Sequence, residues 1–455
     1  MNGAGGLFGE LFADAEMAAL LGEEAFLQAM LDFEALLARA QAQAGLLPAS
    51  QASAIAGQCR AGLYDIGQIG RAATLAGNPA IPLIKALTAR VASVDPEAAK
   101  WVHHGATSQD VIDSAMAWQA DKALQLICER LARLSDALAA LVDTHRATPM
   151  IGRTFLQQAV PVPFGLKVAL WLDPLTESRA RLAEDLRHPT LQLAGAAGSL
   201  ASLGSEAERV QQEFRALAGG ASPGVVSWHS QRHRQARLAS ELGILAGNLG
   251  KIARDIGLMA QTEIGEVAEP EAPGKGGSSA MPHKRNPVLC TLILAAAQRA
   301  PGLVVTMLAA MPQEHERGLG GWHAEWPTLP ELLRLAGSAL GQSVTLIEGL
   351  QVFPARMLAN IELTNGLVMS ERAALALAPH LGKVRAHELV ERAGRDCIAR
   401  ARQLRQVLAE MPEVTSVLDA RTLDGLFDPE TYRGAGDAVI DRVLARHGET
   451  MLPNA

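Results

Sequence analysis

Seven apolar residues, Leu238, Leu242, Leu245, Leu249, Ile252, Ile256 and Met259, follow one another at alternating steps of four and three. An α-helix places such a series on one face, and a run of this length makes a helix of about 30 Å. A seam that long needs other helices of similar reach to cover it. Two further seams run through Leu131, Leu134, Leu138 and Leu141, and through Leu333, Ala336, Leu340, Ile347 and Leu350. Alternating β patterns are scarce, and Val160-Pro161-Val162-Pro163 cannot be a central strand because proline donates no ladder hydrogen bond. The spacing therefore predicts an all-α protein built on long, near-parallel helices. A composition of 49% hydrophobic but only 4% aromatic residues points to a core of small aliphatic side chains. We divide the 455 residues into an N-terminal helical domain at 1–111, a central helix-bundle domain at 112–360 and a C-terminal helical domain at 361–455.

Composition also narrows the functions open to the chain. Its net charge is −7 and it has no dense Lys/Arg run, so no nucleic-acid footprint is expected. The four cysteines, Cys59, Cys128, Cys290 and Cys397, form no C-x-x-C pair and suggest neither a zinc site nor a disulfide framework. No H-E-x-x-H or clustered carboxylate set points to a metal, and no cofactor is expected. The first residues have no basic n-region, and no uninterrupted apolar run approaches the roughly 20 residues of a membrane helix. These features predict a cytoplasmic protein without a membrane partner.

The long seam turns acidic at Glu263 and Glu266, just before a loop. These carboxylates are expected to meet solvent at a helix end; the alternative is that they pair with cations beside an active site. The loop itself, Gly276-Gly277-Ser278-Ser279-Ala280-Met281-Pro282-His283-Lys284-Arg285-Asn286-Pro287, sets a hydroxyl pair, a cation and a carboxamide on a segment bounded by glycine and proline. Such a loop suits closure over an anionic substrate. In Trp101-Val102-His103-His104-Gly105-Ala106-Thr107-Ser108-Gln109-Asp110, the hydroxyls of Thr107 and Ser108 stand where a helix begins, as N-caps or as ligands for a carboxylate.

These strings closely resemble the signatures of the fumarase/aspartase superfamily, at the expected order and spacing over nearly the whole chain. The resemblance implies a three-domain all-α fold whose central helices form a 20-helix core in a homotetramer, with active sites shared between subunits. It implies that Ser278 is the acid or base acting at carbon. It further implies substrate contacts from His103, Thr107, Ser108, Thr154, Gln231, Lys284, Asn286 and Arg317, with His104 in local packing. The Gln231-Arg232 stretch matches a family pair near substrate, or else forms a solvated helix face.

Two departures refine the expected reaction. In lyases of this superfamily a histidine stands at the position of Phe155 and a glutamate at the position of Thr291, and together they protonate the leaving group. A carboxylate nucleophile has a conjugate acid of pKa near 4 and needs no such partner. Loss of the dyad fits a cycloisomerase that closes a lactone by intramolecular carboxylate attack on a tricarboxylate substrate. The strings Met30-Leu31-Asp32-Phe33-Glu34-Ala35 and Gly320-Gly321-Trp322-His323-Ala324-Glu325-Trp326 resemble the branch that lactonizes 3-carboxy-cis,cis-muconate in aromatic catabolism. Trp322 and Trp326 are expected to wall a pocket while packing. The alternatives are an adenylosuccinate-lyase-like C–N lyase, opposed by Phe155, Thr291, Trp322 and Trp326, and a non-catalytic member of the fold.

Overall fold

The computed structural model describes residues 9–12, 14–187, 190–220, 225–272, 276, 281 and 284–451. Of the described residues 71% are helical, and their strands form two antiparallel pairs, so the fold is all-α. The helices that position the site are α1 (Glu23–Gln43), α2 (Ser108–Thr144), α3 (Phe164–Arg187), α4 (His233–Met259), α5 (Val288–Ala309), α6 (Gly321–Glu348) and α7 (Pro354–Glu362). Strands β1 (Pro149–Thr154) and β2 (Gln157–Pro163) make a hairpin, and β3 (Val267–Ala268) pairs with β4 (Gln351–Val352). Among the described residues the hairpin has no third strand, which is how it accommodates Pro161 and Pro163.

The seam residues lie where their spacing puts them. Leu242, Leu245, Leu249, Ile252, Ile256 and Met259 of α4 are buried, as are Leu131, Leu134 and Leu138 of α2 and Leu333, Ala336 and Leu340 of α6. The leucine pattern did not announce a second periodic feature, a pair of glycines. Gly243 and Gly250 of α4 face Val304 and Ala297 of α5. A Cβ at Gly243 would stand 2.6 Å from Val304 Cγ2, and one at Gly250 would stand 2.7 Å from Ala297 Cβ. The matching intervals run in opposite chain directions, so the two helices are antiparallel there. Bare Cα positions let the backbones approach closer than side chains would allow.

The chain forms two compact units. The first comprises Met1–Leu131, Ser178–Gly250 and Leu292–Gln342; the second comprises Ala132–Glu177, Lys251–Thr291 and Ser343–Ala455. Both draw on the segment 112–360, whereas 1–111 falls in the first and 361–455 in the second. In the first unit, α1 buries Leu27, Met30, Leu31, Phe33 and Leu37, and Phe33 meets Phe214 with ring centroids 5.4 Å apart. In the second, Trp171 of α3 donates from Nε1 to Asp255 Oδ2 at 2.8 Å, while Leu377, Val390, Cys397, Leu404 and Leu408 form a core near the C-terminus.

One helix bears on the membrane expectation. By length and composition, α5 is apolar enough to cross a membrane, and 22% of its most apolar stretch is buried. Gln298, Arg299 and Pro301 interrupt it, so it contains no unbroken apolar run. Arg299 pairs with Glu331 of α6 at 2.6 Å, and Val305 and Leu308 are exposed.

Two substitutions test the packing. Leu249→Ala is expected to cost about 2–5 kcal/mol, by lost burial and a residual cavity. Gly250→Val is expected to cost about 1–3 kcal/mol by forcing the α4 and α5 backbones apart. Urea denaturation measures both, and a Gly250→Val chain as stable as its parent would remove the close approach from the account.

Candidate active site

In the first unit the site is organised where α2 begins. Ser108 opens the helix and Thr107 stands at its N-cap position. Asp110 is fully buried, and its Oδ2 reaches back to accept the Thr107 N–H at 3.0 Å, one half of a capping box. The same carboxylate accepts the N–H groups of Ala194 at 3.0 Å and Gly195 at 2.9 Å, and its Oδ1 lies 2.8 Å from His229 Nε2. The Thr107 hydroxyl oxygen accepts from Arg317 Nη2 at 2.9 Å, and that nitrogen also donates to Ala196 O at 3.0 Å. Asp110 and Arg317 therefore tie the same two stretches of chain together, 107–110 and 194–196. Thr107 keeps its own hydroxyl proton for a ligand.

Arg317 is distinguished by what it lacks. Its contacts above are to neutral oxygens, its Nε is buried without a hydrogen-bond partner, and it forms no ion pair among the described residues. A guanidinium held this way retains its charge for an incoming anion. His103 precedes this turn with φ 60°, and its Nδ1 lies 2.7 Å from the buried Glu34 Oε1. Gly105 follows at φ 82°, where a Cβ would stand 2.5 Å from Leu203 Cδ2, so only glycine fits. His104 packs edge-on against Trp101 with centroids 4.9 Å apart, in keeping with a local role.

Gln231 is exposed and bridges Pro312 through the backbone, near the segment that leads to Arg317. Its neighbour Arg232 lies on no solvated face. Arg232 is 3% exposed, bonds Asp113 Oδ2 at 2.9 Å through Nη1 and Glu325 Oε1 at 2.9 Å through Nε, and sits over the Trp228 ring. Burial pushes the Glu325 carboxyl up, although Arg232 opposes the shift. Trp322 is buried and donates from Nε1 to Asp113 Oδ1 at 3.0 Å. Trp326 stands edge-on to it and lines a cavity of about 1140 Å³ with Phe26, Met30, Ile112 and Met116. The two tryptophans thus divide the expected duties: Trp322 anchors the buried ion cluster and Trp326 walls a cavity.

In the second unit, Thr154 ends β1 next to a two-residue turn. Phe155 and Leu156 both adopt left-handed φ, 50° and 63°, and Phe155 is 100% exposed. The hairpin is held by Arg153, which donates to Glu266 Oε1 at 2.7 Å and Oε2 at 2.9 Å; Asn360 of α7 adds a bond at 2.8 Å to Oε1. Glu266 is therefore fully buried and paired with a cation, against the expectation of a solvated helix end, while Glu263 is exposed as expected. Three residues on, Glu269 accepts the N–H groups of Leu289 at 3.1 Å and Cys290 at 2.8 Å and so caps α5, the helix that follows the loop.

The loop closes at its stem, where Asn286 N–H donates to Gly276 O at 3.0 Å and Arg285 pairs with Glu271 at 3.0 Å. Lys284 and Asn286 are exposed, and Ser278 lies outside the described residues. Thr291 is exposed and bonds back to Pro287 O at 2.9 Å. The first unit thus brings Thr107 and Arg317 into direct contact, with Ser108 and His103 on the same short segment; the second holds Thr154, Lys284 and Asn286. Sequence reasoning missed Asp110, His229, Glu34 and Arg153. Only Asp110 carried a local signal, its three-residue spacing from Thr107.

Comparison with known proteins places these features in context. The lyase family profile matches residues 12–302, and the adenylosuccinate lyase C-terminus profile matches residues 366–443. The chain is 49% identical over 442 residues to a 3-carboxy-cis,cis-muconate cycloisomerase of Pseudomonas aeruginosa, covering 97% of this chain and 96% of that protein. It is 43% identical over 446 residues to a nitrosuccinate lyase of Streptomyces davaonensis, covering 96% of this chain and 94% of the relative. The crystal structure of 3-carboxy-cis,cis-muconate lactonizing enzyme from Pseudomonas putida superimposes with a TM-score of 0.93 at 45% identity, covering 98% of this chain and 100% of that one.

The two arginines are expected to behave differently when neutralised. Arg232→Met leaves two buried carboxylates without their cation and is expected to cost about 3–5 kcal/mol. Arg317→Met loses hydrogen bonds to neutral acceptors and is expected to cost about 1 kcal/mol. Equal losses in urea denaturation would contradict the division between a structural and a ligand-facing cation.

Proposed function

The chain belongs to the lyase family, the fumarase/aspartase superfamily, and on that premise we propose that it is a cycloisomerase converting 3-carboxy-cis,cis-muconate to 4-carboxymuconolactone in aromatic catabolism. The observation that carries this reading is Phe155, a fully exposed ring that can neither give nor take a proton at the tip of the β1–β2 hairpin. Thr291, likewise, donates its hydroxyl to Pro287 O just before its own helix, and no acid bonds it among the described residues. A reaction served by this site must therefore expel or add a group that travels without a proton.

Lactonization meets that condition. A substrate carboxylate oxygen forms the C–O bond with its lone pair while the alkene π pair moves to the neighbouring carbon and into the adjoining carboxylate. Ser278 then delivers one proton to that carbon and is reprotonated from solvent. The second carboxylate is where charge develops, so the residues facing it contribute most. Lys284 and Asn286 are assigned to it, with Arg317, Thr107, Ser108, Thr154, His103 and Gln231 holding the rest of the tricarboxylate. Arg317, unpaired by any acid among the described residues, supplies charge to an anion within an acidic chain.

A second reading shares this logic. Nitrite is a weak base and also departs without a proton, so loss of the dyad does not separate lactonization from elimination of nitrite, the activity in the name of the 43% identical relative. Ultraviolet assays with 3-carboxy-cis,cis-muconate and with nitrosuccinate separate the two. In deuterated water the lactone is expected to carry one deuterium on the carbon next to the new C–O bond, read by NMR. Ser278→Ala is expected to lower turnover by about 10²–10⁴-fold with assembly intact; unchanged turnover would remove Ser278 from the mechanism.

We place the enzyme in the cytoplasm as a homotetramer with sites completed between subunits. The cysteines form no disulfide among the described residues and three of them are buried, which suits a reducing compartment. The exposed apolar face of α5, with Val305 and Leu308, suits burial against other helices, and the Arg299–Glu331 ion pair beside it is ill suited to lipid. Val305→Glu is expected to shift the tetramer to smaller species in size-exclusion chromatography with light scattering.

A further inference from the structure

Helix α1 presents two polar residues seven apart, and therefore on one face, to the His103–His104 turn. Gln41 donates from Nε2 to His104 O at 2.6 Å, and Glu34 Oε1 lies 2.7 Å from His103 Nδ1. The two contacts fix the backbone and the ring at once. Glu34 is 1% exposed, and its second oxygen is buried without a hydrogen-bond partner. A carboxylate so deprived of water is costly unless a cation stands against it, and His103 is the group that does so here. The imidazole itself keeps 17% of its surface exposed, and its Nε2 has no hydrogen bond among the described residues.

Charges around the ring act in one direction. Burial lowers the proton affinity of His103, but the charge and hydrogen bond of Glu34 on α1, with the charge of Asp110 on α2, outweigh it, and His103 is pushed up from its ordinary value. Cys59, on which Glu34 also acts, is held as a neutral thiol, mainly by burial. It adds no competing charge.

We propose that Glu34 is a positioning residue that fixes the His103 ring through Nδ1 and keeps it an imidazolium, so that Nε2–H serves as a charged anchor for a substrate carboxylate. The proposal rests on the reading of this chain as an enzyme of polycarboxylates. As pH rises through the folded pKa of His103, the anchor loses its charge and substrate binding weakens. Removing the Glu34 charge moves that loss to lower pH, while Ser278 and the chemical step are untouched.

The test combines kinetics with a titration that needs no turnover. For the native enzyme, Glu34→Gln and Glu34→Asp, kcat and KM for 3-carboxy-cis,cis-muconate are measured from acid to alkaline pH. In parallel, His103 is titrated by NMR with ¹³C-labelled histidine, assigned by His103→Gln. Glu34→Gln keeps an acceptor for Nδ1 but not the charge. It is expected to raise KM about tenfold at neutral pH with kcat within about twofold, and to move both the alkaline limb of kcat/KM and the His103 titration down by about one pH unit. Glu34→Asp is expected to restore much of both. A titration unmoved by Glu34→Gln, or a moved titration with KM unchanged, overturns the proposal. Should Glu34→Gln not fold, a native His103 that titrates at or below the ordinary range for histidine overturns it as well. Absence of turnover by the native enzyme would instead sink the substrate assignment, and the titration would still decide the Glu34–His103 coupling.

Discussion

A single buried carboxylate organises the candidate site residues of the first unit. Asp110 has no access to water, and it is satisfied by three backbone N–H groups and an imidazole drawn from three separate stretches of chain. It also sits in the first turn of a 37-residue helix, where the helix dipole favours negative charge. Such an anion is stable only while every donor is in place, so the geometry around it is specified collectively. Because Asp110 holds 194–196 against Thr107, Arg317 finds a hydroxyl and a carbonyl side by side and needs no acid to orient it.

That arrangement bears on how an acidic chain holds a polyanion. The buried carboxylates are neutralised where they stand: Glu266 by Arg153, Asp113 and Glu325 by Arg232, Asp110 by N–H donors. Arg317 is placed among neutral oxygens instead. The net charge of −7 therefore says little about the local potential beside Thr107, where Arg317 has no ion pair among the described residues.

The periodic features were legible in the sequence because a helix repeats them. Leu242, Leu245, Leu249 and Ile256 needed only spacing to be placed in a core. Gly243 and Gly250 have the same spacing, yet a missing side chain reads as weakness in a helix until its partners on α5 are known. Glu266, expected at a solvated helix end, and Arg232, for which a solvated face was one of two readings, were hard to place for a related reason. A charged residue on a helix most often faces water, and only tertiary structure reveals the counter-charges, which lie 113 residues away for Glu266 and 93 to 119 away for Arg232. The loop motif and the Thr107–Ser108 pair were recognisable because chemistry restricts which residues serve there. Their supports, Glu34, Asp110 and His229, act through other residues and leave little local trace.

The β1–β2 turn has one more consequence. Two residues bearing side chains in left-handed backbone each cost roughly 1–2 kcal/mol, so this turn is not held by local preference. It is held from its base, through Arg153 and Glu266. The tip is thereby uncoupled from foldability, and the ring at its apex can be exchanged for another over evolutionary time without renegotiating the scaffold. Chemistry at the apex can thus change while the contacts that hold the hairpin stay as they are.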